Sequence, residues 1–96
     1  MDVGLEEHIR LAAEVLKKYG ATEVYLFGSA ASGKLREHSD VDFAVTNLPA
    51  EHFYLAIGEA YGALGMPLDV VVLTDDTRLA RRLRSMRDEG TLKRVA

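Results

Sequence analysis

The sequence predicts a small α/β (α+β) domain in which helices pack on a mixed β-sheet of three or more strands. Apolar residues recur at helical spacing over residues 3–19. Three short runs rich in β-branched and aromatic residues, at 22–27, 41–46 and 68–73, are typical of strands. The connection at 47–67 is long enough for a helical crossover, so the second and third strands can be parallel.

Each helix is predicted from its apolar face and from the residues that begin or end it. The first, residues 3–19, has lysines in its last turn and ends before Gly20. A short second helix is predicted over residues 29–35, after the first strand. Pro49 fits the first turn of a third helix that runs to about Ala63. We expect this helix to bury Phe53, Ala56, Ile57 and Ala60.

The last helix, about residues 77–89, combines an apolar face with a basic one. Leu79, Leu83 and Met86 supply the apolar face, and Gly90 ends the helix. Much of the remaining surface consists of Arg78, Arg81, Arg82, Arg84 and Arg87. This pattern is consistent with a solvated face that pairs with nearby acids. It is also consistent with a docking surface for an acidic partner or for nucleotide phosphates.

Composition predicts one domain, residues 1–96, with a single packed core, because 48% of the residues are apolar. The absence of cysteine excludes a disulfide framework, a thiolate metal site and a cysteine nucleophile. The N-terminus is acidic where a signal peptide is basic, and no apolar run reaches membrane-spanning length, so we expect a cytoplasmic protein. Residues 1–75 carry twelve acidic and five basic side chains, which argues against direct nucleic-acid binding.

A glycine turn and an aspartate pair stand at the ends of the first two predicted strands. Gly28 and Ser29 follow the first strand, and after ten intervening residues Asp40 and Asp42 begin the second. Gly28 lets backbone amides approach an anion, and Ser29 is a good N-cap for a helix whose N-terminus faces that anion. Asp40 and Asp42 project from one face of a strand and can share cations. Taken singly, both motifs are also ordinary turns.

A third aspartate, Asp69, lies inside the apolar run of the third strand, where an ionised carboxylate is costly unless it is paired or metal-bound. The turn and the aspartate pair meet only if the first two strands are antiparallel. A parallel third strand then places Asp69 beside Asp40 and Asp42, and adjacent strands are about 4.8 Å apart, which lets carboxylates share cations. Three such carboxylates repel one another unless cations lie among them, and oxygen donors favour Mg²⁺ or Mn²⁺.

Together, Gly28-Ser29, the pair Asp40 and Asp42, and the later strand residue Asp69 resemble the polymerase-β-type nucleotidyltransferase superfamily. The short chain is similar to its minimal nucleotidyltransferase (MNT) branch, which includes the MntA-like antitoxins. The resemblance implies a polymerase-β-palm-like fold, two Mg²⁺ ions (or Mn²⁺) and ATP as substrate. It implies that Asp40 and Asp42 hold both ions, and that Asp69 binds the catalytic ion and helps to deprotonate the acceptor hydroxyl. Gly28 and Ser29 are expected to hold the triphosphate.

Two positions depart from the pattern of that family, because Ala30 and Ser32 stand where arginine is common. We therefore include Lys34 among the expected nucleotide-binding residues, with Arg36 as an alternative source of positive charge.

The resemblance also implies a partner, since many MNT proteins act as antitoxins of a helical HEPN partner and some transfer AMP from ATP to its tyrosine. A protein adenylyltransferase with a HEPN-like partner is therefore the leading hypothesis, and the sequence also allows an oligomer. Two other functions stay open. One is a non-catalytic antitoxin that neutralises its partner by contact, and the other is an adenylyltransferase for a small molecule such as an antibiotic.

Overall fold

The computed structural model describes residues 3–28, 31 and 40–96. Within them, three helices and four strands follow one another along the chain. The helices are α1 (Val3–Lys18), α2 (Ala50–Leu64) and α3 (Arg78–Asp88). The strands are β1 (Glu23–Phe27), β2 (Val41–Thr46), β3 (Leu68–Val72) and β4 (Lys93–Arg94). The α/β class is confirmed, and the predicted elements inside the described ranges have the expected bounds to within a residue at each end.

The four strands form one mixed sheet in the order β3-β2-β1-β4. The central strand β1 is antiparallel to both β2 and β4, whereas β2 and β3 are parallel and joined by the α2 crossover. The predicted orientations of the first three strands are therefore confirmed. The short strand β4 was not predicted, and it extends the sheet beyond β1.

Helices α1 and α2 cover one face of the sheet, because alternate strand residues point into a large apolar cluster beneath them. Val41, Phe43 and Val45 of β2 are completely buried there. Helix α3 covers the other face through a smaller cluster of Tyr25, Ala44, Leu73, Leu83 and Leu92. The sheet is thus the middle layer of a three-layer domain.

Some predicted core residues are less buried than their helical spacing indicated. On α2, the fully buried residues are Ala56, Ala60 and Leu64, while Phe53 and Ile57 are only half-buried. On α3, Leu79 was expected on the apolar face and is 46% exposed. The predicted short helix at 29–35 lies outside the described residues, apart from Ala31. No helix in the described ranges is long and apolar enough to cross a membrane.

Candidate active site

The turn after β1 requires glycine for two separate reasons. Gly28 directly follows the strand and has φ +66°. This left-handed conformation is strained for residues that carry a Cβ, but not for glycine. A Cβ built at this position would lie 2.6 Å from Oδ2 of Asp42, closer than van der Waals contact allows. A side chain at position 28 would therefore displace the carboxylate end of Asp42.

The register of the sheet brings two of the predicted aspartates side by side. Asp42 pairs with Phe27 of the antiparallel strand β1 and with Asp69 of the parallel strand β3. Residues directly opposite one another on neighbouring strands share a face, so all three side chains lie on the face that α3 partly covers. Asp40 precedes β2 and stands two residues before Asp42, which gives its side chain the same direction.

The three carboxylates differ in their exposure. Asp42 is half-buried, whereas Asp40 and Asp69 are exposed. The expectation that Asp69 is buried in an apolar run was therefore wrong. Its strand does have buried ends, but Asp69 lies at a corner of the sheet that no helix among the described residues covers.

Electrostatics at this corner favour the arrival of positive charge. Burial raises the pKa of Asp42, and the neighbouring charges of Asp69 and then Asp40 raise it further. Asp42 is thus close enough to Asp69 and to Asp40 to be repelled by each of them when ionised. A cation placed among them would relieve that repulsion, which is the electrostatic property expected of a metal-binding group.

The aspartate carboxylates suit a divalent ion that is bound jointly by the protein and by the phosphate oxygens of a substrate. Within the described ranges, no group of three or more His, Cys, Asp or Glu side chains is drawn together tightly enough to hold an ion unaided. Mg²⁺ is commonly bound by one or two carboxylates together with water and the phosphate oxygens of a substrate. The adjacent Asp42 and Asp69, with Asp40 beside them, match that mode of binding.

The remaining predicted site residues are only partly placed by the structure. Ser29 and Lys34 lie outside the described residues, so their assignment to nucleotide binding stays a prediction. Phe27, which the sequence analysis did not single out, is half-buried and stands opposite Asp42 in the sheet register. Its position in the sequence, immediately before Gly28, could have indicated that Phe27 borders the site.

A mixed sheet with a glycine turn and paired aspartates at one corner defines a candidate nucleotide-transfer site. The chain belongs to the Polymerase beta, nucleotidyltransferase family, whose sequence model matches residues 11–86. The matched stretch contains Gly28, Asp40, Asp42 and Asp69. The family predicted from the motif is therefore confirmed.

Two solved structures share the fold at low sequence identity. One is the crystal structure of a toxin–antitoxin with AMP-PNP, with a TM-score of 0.69, 20% identity, and coverage of 93% of this chain and 72% of that chain. The other is a toxin–antitoxin MntA-HpeT mutant with two aspartate-to-glutamate substitutions. Its TM-score is 0.67 at 19% identity, with coverage of 88% of this chain and 68% of that chain. A comparison with curated protein sequences finds no match.

Proposed function

We propose that this protein is a metal-dependent nucleotidyltransferase that transfers AMP from ATP to a hydroxyl group of a partner protein. The observation that carries the proposal is the pairing of Asp42 with Asp69 beside the left-handed turn at Gly28. Membership of the nucleotidyltransferase family supports the reaction class, and the AMP-PNP in a structure of the same fold supports an adenine nucleotide.

In the proposed reaction, the acceptor oxygen attacks the α-phosphorus of ATP. The bond from that phosphorus to the bridging oxygen breaks, and pyrophosphate leaves. Asp69 takes the proton of the acceptor hydroxyl, which its exposure at the sheet corner permits. Gly28 positions the backbone turn for the triphosphate, with Ser29 and Lys34 as further proposed contacts. Two Mg²⁺ or Mn²⁺ ions, held by Asp40, Asp42 and Asp69, would activate the acceptor and neutralise charge on the leaving group.

The proposed partner is a helical HEPN-type toxin, and the proposed acceptor is one of its tyrosines, which gives this chain an antitoxin role. Both solved structures of the same fold are described as toxin–antitoxin proteins. The expected cytoplasmic location is compatible with this role and stays a prediction.

An exposed apolar surface on α2 gives such a partner a place to bind. Tyr54, Leu55 and Tyr61 are 83%, 64% and 52% exposed, and Gly58 and Gly62 lie between them on the same side of the helix by spacing. A Cβ added at either glycine would meet nothing within 4 Å, so a partner helix can approach the backbone closely there. We call these five residues the α2 face. Contiguous exposed apolar residues often mark protein interfaces.

The reaction is tested with ATP labelled on either the α- or the γ-phosphate, Mg²⁺ and the protein encoded by the neighbouring gene. Label from the α-phosphate should appear on the partner, and Asp42→Asn should abolish the transfer. Transfer of γ-label would instead indicate a kinase. Absence of any transfer, or equal transfer by Asp42→Asn, would contradict the proposal.

A second candidate is a non-catalytic antitoxin, and the α2 face is the observation that favours it. The two functions separate with paired variants. If catalysis neutralises the partner, Asp42→Asn abolishes protection while the complex still forms. If contact alone suffices, Asp42→Asn protects fully, whereas Leu55→Asp weakens binding of the partner and loses protection. ATP binding by Leu55→Asp should equal that of the natural protein in both cases, since Leu55 lies on the opposite side of the sheet from Asp42.

A further inference from the structure

Helix α3 crosses the sheet face that carries the aspartates and leaves one corner of it open. Its buried residue Leu83 packs with Tyr25 and Ala44, which lie on the same face as Asp42. The helix begins beyond the C-terminal end of β3, and the chain then rejoins the sheet as β4, with Lys93 opposite Leu26 near the Gly28 end of β1. The helix therefore runs diagonally, and no helix of the described ranges covers the N-terminal ends of β2 and β3 on this face.

The contacts of Arg84 identify which flank of α3 faces away from that open corner. Its Nη1 donates hydrogen bonds to the carbonyl oxygens of Leu73 and Asp75, which lie just beyond the C-terminal end of β3. Arg81, one turn earlier on this flank, forms an ion pair with Asp76. Both arginines are thus held at the end of the sheet opposite to Asp69.

The other flank carries Arg82. Successive helical residues are about 100° apart, so Arg82 projects about 160° around α3 from Arg84, on the flank opposite to the one that contacts Leu73 and Asp75. Arg78 stands one turn before Arg82 in the same row. Both are exposed, and neither forms an ion pair with an acidic side chain of the described ranges. Their charge is therefore available to a ligand.

We propose that Arg82 binds the β- and γ-phosphates of the nucleotide across the open corner between α3 and the aspartates. This inference rests on the proposed function, because it assumes that a nucleoside triphosphate occupies that corner. A guanidinium matches two phosphate oxygens at once, which makes arginine well suited to this contact. The contact also supplies the positive charge that Ala30 and Ser32 do not provide in the segment after the glycine turn.

The test compares neighbouring arginines that project from opposite flanks of the same helix. Arg82→Gln and Arg81→Gln each remove one positive charge from an exposed position. A difference in ATP affinity between them therefore reports which flank of α3 the arginine lies on, and not the total charge of the helix. Equilibrium binding of ATP and of AMP to the full chain is measured by calorimetry with Mg²⁺ present. We expect Arg82→Gln to weaken ATP binding about tenfold or more and to leave AMP binding within about twofold, because AMP lacks the two outer phosphates. Arg81→Gln should bind both nucleotides like the natural protein, and Arg82→Lys should recover part of the ATP affinity.

Two results would overturn the inference while leaving the proposed function intact. One is normal ATP binding by Arg82→Gln. The other is an equal loss in Arg82→Gln and Arg81→Gln, which would indicate only the overall charge of α3. If the natural protein binds no nucleoside triphosphate, both the inference and the proposed function fail.

Discussion

The two faces of the sheet differ in how completely helices cover them. Beneath α1 and α2, the β2 residues Val41, Phe43 and Val45 are all completely buried. Beneath α3, Ala44 is also buried, but Asp42 of the same row is half-buried and Asp69 beside it is exposed. The face under two helices therefore provides most of the apolar core, whereas the face under one helix keeps a polar corner open. The apolar core and the proposed site thus lie on opposite faces of one sheet.

The largest expected effect on stability comes from the fully covered face. Phe43 is completely buried and is among the largest buried side chains. Phe43→Ala should lower the free energy of unfolding by about 3–5 kcal/mol, because it removes apolar contacts and leaves a cavity. Denaturant titration followed by circular dichroism measures this change. Leu55→Ala, at a site that is 64% exposed, should change it by no more than about 0.5 kcal/mol. Similar losses in the two variants would contradict the contrast between core and surface.

On the open face, a substitution at Asp42 should lower activity and raise stability. Asp42→Asn should lower nucleotide transfer by about a thousandfold, equivalent to about 4 kcal/mol of transition-state stabilisation, since it removes a metal-binding charge. Without metal, the same variant should melt at a higher temperature than the natural protein, because repulsion from Asp69 and Asp40 disappears. Asp75→Asn, at the far end of the sheet, is the matched control and should change neither property.

The gain in melting temperature should depend on pH in a defined direction. Burial and the neighbouring carboxylates raise the pKa of Asp42 in the folded protein above the ordinary value of 3.8. The ionised form therefore destabilises the fold at pH values above the folded-state pKa, and this penalty disappears as the pH falls through it. The difference between Asp42→Asn and the natural protein should be largest near neutral pH and shrink in acid. A difference that grew with acidification would have the wrong sign.

A pair of glycine substitutions separates backbone strain from damage to the site. Gly28 and Gly65 both have positive φ, +66° and +78°. A Cβ at Gly28 would collide with Asp42, whereas a Cβ at Gly65 would meet nothing within 4 Å. Each alanine variant should lose about 1–2 kcal/mol of stability from the left-handed conformation. Only Gly28→Ala should also lose transfer activity, measured with α-labelled ATP. Equal activity in the two variants would show that the contact with Asp42 does not matter.

The smallest expected effect lies on the surface between α1 and α2. Glu59 accepts a hydrogen bond from the hydroxyl of the half-buried Tyr19 at 2.7 Å and forms an exposed ion pair with Lys18. Exposed ion pairs contribute little to stability, so Glu59→Gln should shift the melting temperature only slightly, and the shift should vanish in high salt. A large or salt-independent shift would indicate that the two helices depend on this contact.

The sequence predicted those parts of the fold that local pattern and connection length determine. Helical spacing gave α1 and α2, and the length of the crossover gave the parallel pairing of β2 with β3. That pairing was sufficient to predict that Asp69 stands beside Asp42. The family was likewise expected from the resemblance of the motif Gly28-Ser29, Asp40, Asp42 and Asp69 to the polymerase-β-type nucleotidyltransferases.

The features that the sequence did not predict depend on which parts of the sheet a helix covers. Leu79 has the spacing of an apolar-face residue, but it lies toward the uncovered flank of α3 and stays 46% exposed. Asp69 is exposed for the same reason. Strand β4 contains only Lys93 and Arg94, which carry no apolar alternation, so its pairing with β1 arises from tertiary contacts alone. Which parts of a sheet a helix covers depends on three-dimensional packing, and the local sequence pattern does not predict it.

The most direct test of the account is to locate the bound metal. Mn²⁺ is titrated into isotope-labelled protein with a non-hydrolysable ATP analogue, and paramagnetic broadening of the amide signals is followed by NMR. We expect the amide signals of Gly28, Asp42 and Asp69 to broaden first. The signals of Tyr54, Leu55 and Tyr61 on the α2 face should stay sharp. Broadening that begins on the α2 face, or no broadening near Asp42 and Asp69 at saturating nucleotide, would contradict the assignment of the open corner as the active site.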